Sequence, residues 1–261
     1  MTIRDKFASL RINGEKALVC FFTAGDQPLE DLPEILNLLS SAGADIIEIG
    51  IPFSDPFGEG PTIQDSSQRA LENGATLTKI LDAIERCKVD IPLVTMGYFN
   101  PILRFGLKEF ATSSKQVGVS GTIVSDLVPD EASAWDQACT ESGLETIYLV
   151  APTSTDIRIR QVSGQSTGFV YVVSRTGVTG AESSVPPEIS GLVRKVKDLT
   201  SKPVCVGFGI STPAHVQLVC QEADGAVVGS ALVSMLHKHW NNPSERSKIS
   251  DFVKSLKDAT A

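Results

Sequence analysis

Eight short apolar runs rich in valine and isoleucine, separated by longer amphipathic stretches, set the tightest limit on what this chain can fold into. The runs are Leu18 to Phe22, Ile46 to Ile49, Leu93 to Met96, Thr122 to Val124, Thr146 to Val150, Phe169 to Val173, Val204 to Gly207 and Ala226 to Val228. Their hydrophobicity is continuous rather than alternating, which suits strands covered on both faces, as in a parallel sheet flanked by its crossover helices. Helical periodicity fills the gaps, at Leu32–Leu39, Thr78–Cys87, Leu107–Val117, Glu131–Glu141, Ile189–Leu199 and Ala214–Glu222. Eight strands with helical returns predict an α/β chain closed into a (β/α)8 TIM barrel. At 261 residues, 42% of them hydrophobic, the chain has the length of one such domain spanning 1–261. An open doubly wound sheet would want a G-x-G-x-x-G turn after the first strand, where the chain has Phe22-Thr23-Ala24-Gly25-Asp26.

Three junctions repeat a pattern: Ala42-Gly43-Ala44-Asp45 before strand two, Val117-Gly118-Val119 before strand four and Glu222-Ala223-Asp224-Gly225 before strand eight. Each predicts a helix stopped by a small residue just ahead of a strand. The tail from Glu245 to Ala261 reads as a terminal helix, with Ile249, Phe252, Val253 and Leu256 at helical spacing.

Composition removes several classes of function. A net charge of -8 without a basic stripe argues against nucleic acid, which needs clustered Lys and Arg. The five cysteines, Cys20, Cys87, Cys139, Cys205 and Cys220, form no C-x-x-C pair and read as reduced, buried thiols. Of the three histidines, His237 and His239 stand two apart on an expected helix and point to different faces, so no metal site is expected. No apolar stretch approaches the roughly 20 residues that span a bilayer, and Met1 to Lys6 lacks the apolar core of a signal peptide. A cytoplasmic protein without a membrane partner is expected, or a plastid-stromal one if the source is a photosynthetic eukaryote.

Chemistry concentrates between Asp45 and Gln64. The β-branched run Ile46, Ile47, Ile49 and Ile51 carries one carboxylate, Glu48, whose charged form is costly among apolar side chains unless it is paired or used. The chain then breaks into a loop holding Pro52, Asp55, Pro56, Gly58, Glu59, Gly60 and Pro61, a density of turn formers that neither strand nor helix absorbs. Barrel active sites lie at the carboxyl ends of the strands, with phosphate often held after strands seven and eight. Those ends read Gly207-Phe208-Gly209-Ile210-Ser211 and Gly229-Ser230-Ala231, where bared backbone N–H groups at a helix start suit an anion. The Gly- and Thr-rich segment Ser174 to Ala181 suits either a mobile lid or a plain connection.

These residues carry a resemblance to a known family. Glu48-Ile-Gly-Ile-Pro-Phe-Ser-Asp-Pro, Gly60-Pro-Thr-Ile-Gln, Ser174-Arg-Thr-Gly-Val-Thr-Gly, Val206-Gly-Phe-Gly-Ile-Ser and Gly229-Ser stand in the order found in the tryptophan synthase α subunit, which the chain resembles over essentially its whole length. The resemblance implies a barrel that cleaves indole-3-glycerol phosphate to indole and glyceraldehyde 3-phosphate in tryptophan biosynthesis. Indole would pass to a β subunit, in an α2β2 assembly, that carries pyridoxal phosphate; this chain itself would hold no cofactor. By position, Glu48 matches the general acid-base and Glu59 the second catalytic acid. Phe21, Tyr98, Tyr171 and Phe208 match the surroundings of the indole, with Ile63 and Ile123 as apolar wall. Gly180, Gly209, Gly229 and Ser230 match the phosphate cradle, and Thr179 the lid residue that closes onto Asp55. Pro52, Asp55 and Pro56 fall in the loop that would face the β partner.

The chemistry explains why acids are wanted. Breaking the bond from indole C3 to the glycerol chain is a retro-aldol step that needs C3 protonated first, and one carboxyl group must give that proton and then take one from the departing carbinol. Burial of Glu48 among Ile46, Ile47 and Ile49 should raise its pKa toward neutrality and fit it for this. A second acid near the ring N–H would stabilise the cation that develops there. The chain departs from the family where Glu59 replaces Asp, Gly58 replaces Ala, Phe57 replaces Leu, and Ser125 and Val128 interrupt the more usual Pro-Asp-Leu-Pro around Asp126. Glu59 therefore keeps a rival reading open, an impaired α-like protein that only binds and regulates a β subunit; a stand-alone lyase releasing free indole is a third. A Schiff-base aldolase would need a lysine at an inner strand end, and none is offered.

Overall fold

A computed structural model describes residues 1–173, 188–207 and 209–261, and shows a closed barrel of eight parallel strands in sequence order. The strands are β1 (Ala17–Thr23), β2 (Ile46–Gly50), β3 (Leu93–Gly97), β4 (Val119–Val124), β5 (Glu145–Val150), β6 (Val170–Val173), β7 (Val204–Gly207) and β8 (Gly225–Val228). All eight expected runs are strands, and pairing of β1 with β8 closes the cylinder, from Ala17 beside Gly225 to Cys20 beside Val228. The helices are α1 (Ile3–Asn13), α2 (Leu32–Ser41), α3 (Pro61–Glu72), α4 (Leu77–Glu85), α5 (Phe99–Phe105), α6 (Leu107–Gln116), α7 (Ser133–Ser142), α8 (Asp156–Gln165), α9 (Glu188–Leu199), α10 (Pro213–Cys220), α11 (Ser230–His239) and α12 (Arg246–Asp258). None is long and apolar enough to cross a membrane.

The two faces of each strand build two separate cores. Leu18, Cys20, Phe22, Ile47 and Ile49 pack outward against the helical shell, while Val19, Phe21, Ile46, Val94, Met96, Ile123, Ile147, Tyr171, Cys205 and Val227 fill the barrel. This parity places Glu48, two residues beyond Ile46, on the inner face. Ile46 thus shares its face, but Ile47 and Ile49 point away from it, so the apolar surroundings expected of those two residues come instead from other strands.

The bottom of the barrel is plugged by α1. Thr2 and Asp5 cap its start reciprocally, and Ile3, Phe7 and Leu10 turn into the interior, with the Phe7 ring edge-on to Phe169 at 6.0 Å. The Ile3 N–H donates to Glu145 at 3.0 Å, fixing the plug to β5. Gly43 and Gly118 take the left-handed conformation that the junction pattern predicts (φ 108 and 95). Gly225 does not: it opens β8, and a Cβ there would lie 2.9 Å from both Ala17 and the Cys205 sulfur, so close approach is what requires glycine.

Candidate active site

Glu48 lies mid-strand in β2, between Phe21 of β1 and Val94 of β3 in the ladder. It is fully buried, and neither carboxylate oxygen meets a hydrogen-bond partner from the described residues. Burial, and then the nearby charge of Glu59, push its carboxyl up to about 8. Glu59 sits in the turn that leads into α3, where Gly60 is the cap residue and Pro61 opens the helix with the dihedral angle a first turn needs. Two bonds hold its backbone: its N–H donates to the Pro56 carbonyl at 3.0 Å, and Gln64 Nε2 donates to its carbonyl at 2.8 Å. The residue is 5% exposed, Oε2 has no partner among the described residues, and burial pushes the carboxyl up to about 7. Two carboxyl groups poised near neutrality at one site favour a state with one protonated and one ionised, the arrangement acid-base exchange wants.

The α3 segment that follows Glu59 is braced against the end of β1. The hydroxyls of Thr23 and Ser66 lie 2.6 Å apart, and Ser66 Oγ also donates to the Ile63 carbonyl at 2.8 Å. Arg69 donates to both oxygens of Asp26, at 2.6 and 3.0 Å, and Asn73 to the Gly25 carbonyl at 2.9 Å. The polar face of α3 is therefore a mounting for the acid at its head.

Both acids line one cavity of about 740 Å³, counting its open mouth. Phe21, Ile63, Met96 and Tyr171 give it apolar walls. The far wall is Gly209, Ile210 and Ser211 after β7, and Gly229, Ser230, Ala231 and Ser234 after β8. No lysine, arginine or histidine is among these lining residues. An anion there would meet the N–H groups at the start of α11, whose first turn has no side-chain cap, and the Ser230 hydroxyl.

The cavity thus brings together Phe21, Glu48, Glu59, Ile63, Tyr171, Gly209, Gly229 and Ser230. Two expected residues stand apart from it. Ile123 is buried in the barrel interior. Tyr98 borders an adjoining void, stacks on Phe53 (centroids 5.2 Å) and meets Phe57 edge-on (5.4 Å), while its hydroxyl accepts the Gly58 N–H at 3.0 Å. Pro52 is buried and Pro56 half-buried, leaving Asp55 as the exposed member of the three expected to face a partner. Thr179, Gly180 and Phe208 lie outside the described residues. Met96, Thr62, Ser211 and Ser234 also line the cavity and were given no site role of their own from the sequence: Met96 could have been found by counting two residues from Val94 along β3, whereas Thr62 and Ser211 stood inside motifs without being singled out. Among the departures from the family pattern, Glu59 and Ser125 border the same void as Tyr98.

Comparison with known proteins supplies the family. The model for the tryptophan synthase alpha chain matches residues 7–261. The tryptophan synthase alpha chain of Geobacter sulfurreducens is 46% identical over 259 residues, covering 98% of each chain, and that of Thermoanaerobacter sp. (strain X514) is 43% identical over 258 residues, again 98% of each. Among solved structures, a tryptophan synthase of Mycobacterium tuberculosis superposes with TM-score 0.90 at 36% identity, covering 99% of this chain and 97% of that one. The tryptophan synthase subunit alpha of Legionella pneumophila str. Paris does so with TM-score 0.90 at 31% identity, covering 100% and 98%. With its family model matched nearly end to end and its barrel shared with these structures, the chain belongs to the tryptophan synthase alpha chain family, lyases that act on indole-3-glycerol phosphate.

Proposed function

We propose that Glu48 and Glu59 are the acid-base pair that cleaves indole-3-glycerol phosphate in this chain, with the substrate's phosphate on the Gly209 and Gly229-Ser230 wall. One observation carries the reading: two buried acids and a glycine-lined helix start share one cavity, with apolar side chains between them. Glu48, held protonated by its surroundings, gives its proton to indole C3. The positive charge that then develops at the ring nitrogen is met by the Glu59 carboxylate, which takes up the N–H proton. Glu48, now a carboxylate, accepts the proton of the carbinol hydroxyl as the carbon-carbon bond breaks, which releases glyceraldehyde 3-phosphate and returns Glu48 to its starting state. Return of the N1 proton leaves neutral indole.

Phe21, Ile63 and Tyr171 sandwich the ring in this reading, and Gly209, Gly229 and Ser230 hold the phosphate; Tyr98 and Ile123 support the pocket from behind. Gly180 and Phe208 would complete the cradle and the ring pocket, with Thr179 closing toward Asp55. The product passes to a β subunit that carries pyridoxal phosphate, in an α2β2 assembly. Support for such a partner comes from apolar side chains left at the surface on the connections after four consecutive strands: Phe57 (63% exposed), Leu103 (52%), Val128 (44%) and Ile157 (73%). Exposed apolar groups clustered on one rim are what a docking face requires.

The test is indole release from indole-3-glycerol phosphate by Glu48→Gln beside the parent. A fall in kcat of about a hundredfold or more, with binding of an unreactive phosphorylated indole analogue retained, is expected on losing a proton-transfer group. Activity within tenfold of the parent would overturn the assignment.

A further inference from the structure

Beside Glu59, adjoining the main cavity, lies a smaller void of about 290 Å³, wide enough at its centre for about one water, which the reaction as described does not use. Its polar side chains are Glu59, Thr23, Ser67, Tyr98 and Ser125. The Thr23 hydroxyl is committed to Ser66 at 2.6 Å, and the Tyr98 hydroxyl accepts the Gly58 N–H at 3.0 Å. The Ser125 hydroxyl has no partner among the described residues although its oxygen is buried, and the same holds for Glu59 Oε2. The backbone at Ser125 is nonetheless firmly placed. Its N–H donates to the Gly97 carbonyl at 2.9 Å, and the carboxylate of the next residue, Asp126, accepts the Phe99 N–H at 2.7 Å.

A buried hydroxyl donor and a buried carboxylate acceptor on one void, each otherwise unsatisfied, form a natural water-bridged pair. We propose that Ser125 is a positioning residue for Glu59, its hydroxyl donating through a water in this void to the carboxylate and fixing the rotamer in which Glu59 meets the ring nitrogen. The proposal rests on the role given to Glu59 above. A glutamate side chain has three rotatable bonds, and a misplacement of about 1 Å at a reacting group can cost about a hundredfold in rate, so an anchor on the carboxylate bears directly on turnover. The titratable groups facing Glu59 are Glu48 from β2, Tyr98 after β3 and Tyr171 from β6, all acids, and no cation lines the void or the main cavity among the described residues. A donor in the void is thus the contact that favours the ionised form of Glu59.

The experiment compares the parent, S125A, S125T, E59Q and the S125A/E59Q double variant, by steady-state indole release from indole-3-glycerol phosphate across the pH range. Glu59 must be ionised and Glu48 protonated, so activity rises through an acid limb and falls through an alkaline one. S125A is expected to lower kcat about tenfold with KM within about twofold, and to move the acid limb up by about half a pH unit as the carboxylate loses its donor, the alkaline limb staying in place. S125T keeps the hydroxyl and restores both, and in the E59Q background S125A has no further effect. If E59Q is impaired but S125A matches the parent in kcat and acid limb, or acts equally in the E59Q background, the role of Ser125 is overturned while that of Glu59 stands. If E59Q itself turns over like the parent, the role of Glu59 falls and this proposal falls with it.

Discussion

Gly207 is glycine because Tyr171 occupies the space its side chain would need. A Cβ there would lie 2.0 Å from the Tyr171 hydroxyl oxygen and 2.5 Å from the adjacent ring carbon. Gly207→Ala should therefore push the ring off its place on the cavity wall, costing about 1–3 kcal/mol of stability as overpacked sites do. Thermal unfolding would read the loss, and KM for the indole substrate should rise with it. Glu48 makes the opposite trade. Its folded pKa of about 8 lies above the ordinary carboxylate value of 4.5, so between those values the folded state binds more protons than the unfolded one. By linkage, stability from this group is complete below pH 4.5 and declines as pH rises through that window toward 8. Glu48→Gln should consequently stabilise the fold relative to the parent at pH 8.5, by on the order of a few kcal/mol read as a higher melting temperature, and by little at pH 4.5. A melting temperature unchanged at alkaline pH would mean that the carboxyl is not buried as described.

Helix α3 shows how an element with little apolar signal can govern a site. The Arg69 to Asp26 pair, with the Asp26 side chain only 2% exposed, ties the last turn of this helix to the loop just after β1. Arg69→Ala would leave Asp26 buried with only the Gln27 amide at 3.2 Å, and should cost about 2 kcal/mol or more. Because α3 carries Glu59 at its head, kcat should fall more than KM changes, measurable in the same indole assay. Sequence reading found the eight strands because a strand covered on both faces needs an unbroken apolar run. It passed over α1, α3, α5 and α8, the last three for a visible reason. In α3 the residues that bury are Ser66, Ser67 and Ala70 beside Ile63, so the helix packs through small polar side chains and shows no apolar stripe. In α5, seven residues with Pro101 inside are too short to display a period, and α8 buries only Ile159, Val162 and Ser163. Glu48 was legible by contrast, since a carboxylate within an isoleucine run is conspicuous, whereas Glu59 gained a role only through the family resemblance. The neighbours of Glu48 were misread, because strand parity, which turns Glu48 inward with Ile46, turns Ile47 and Ile49 away from it.

At the scale of the whole molecule, the barrel separates holding the fold from doing chemistry. The outer core between strands and helices, and the plug of α1 below, leave the upper interior free of a structural role, so two buried acids can be kept there, with both oxygens of Glu48 and Oε2 of Glu59 unpartnered among the described residues. The exposed apolar residues Phe57, Leu103, Val128 and Ile157 follow β2 to β5, whereas the glycine-lined wall of the cavity follows β7 and β8. Charge placed on the rim, as in Phe57→Asp, should weaken association with a β subunit by about tenfold or more while leaving α12 and the barrel bottom untouched, as titration calorimetry would register. The most direct measurement is a crystal structure with an unreactive analogue of indole-3-glycerol phosphate. The predicted result has the ring nitrogen within about 3.2 Å of the Glu59 carboxylate, C3 facing Glu48, and the phosphate on the N–H groups of Gly209, Gly229 and Ser230. A phosphate bound away from those glycines, or a ring that meets neither acid, would contradict it.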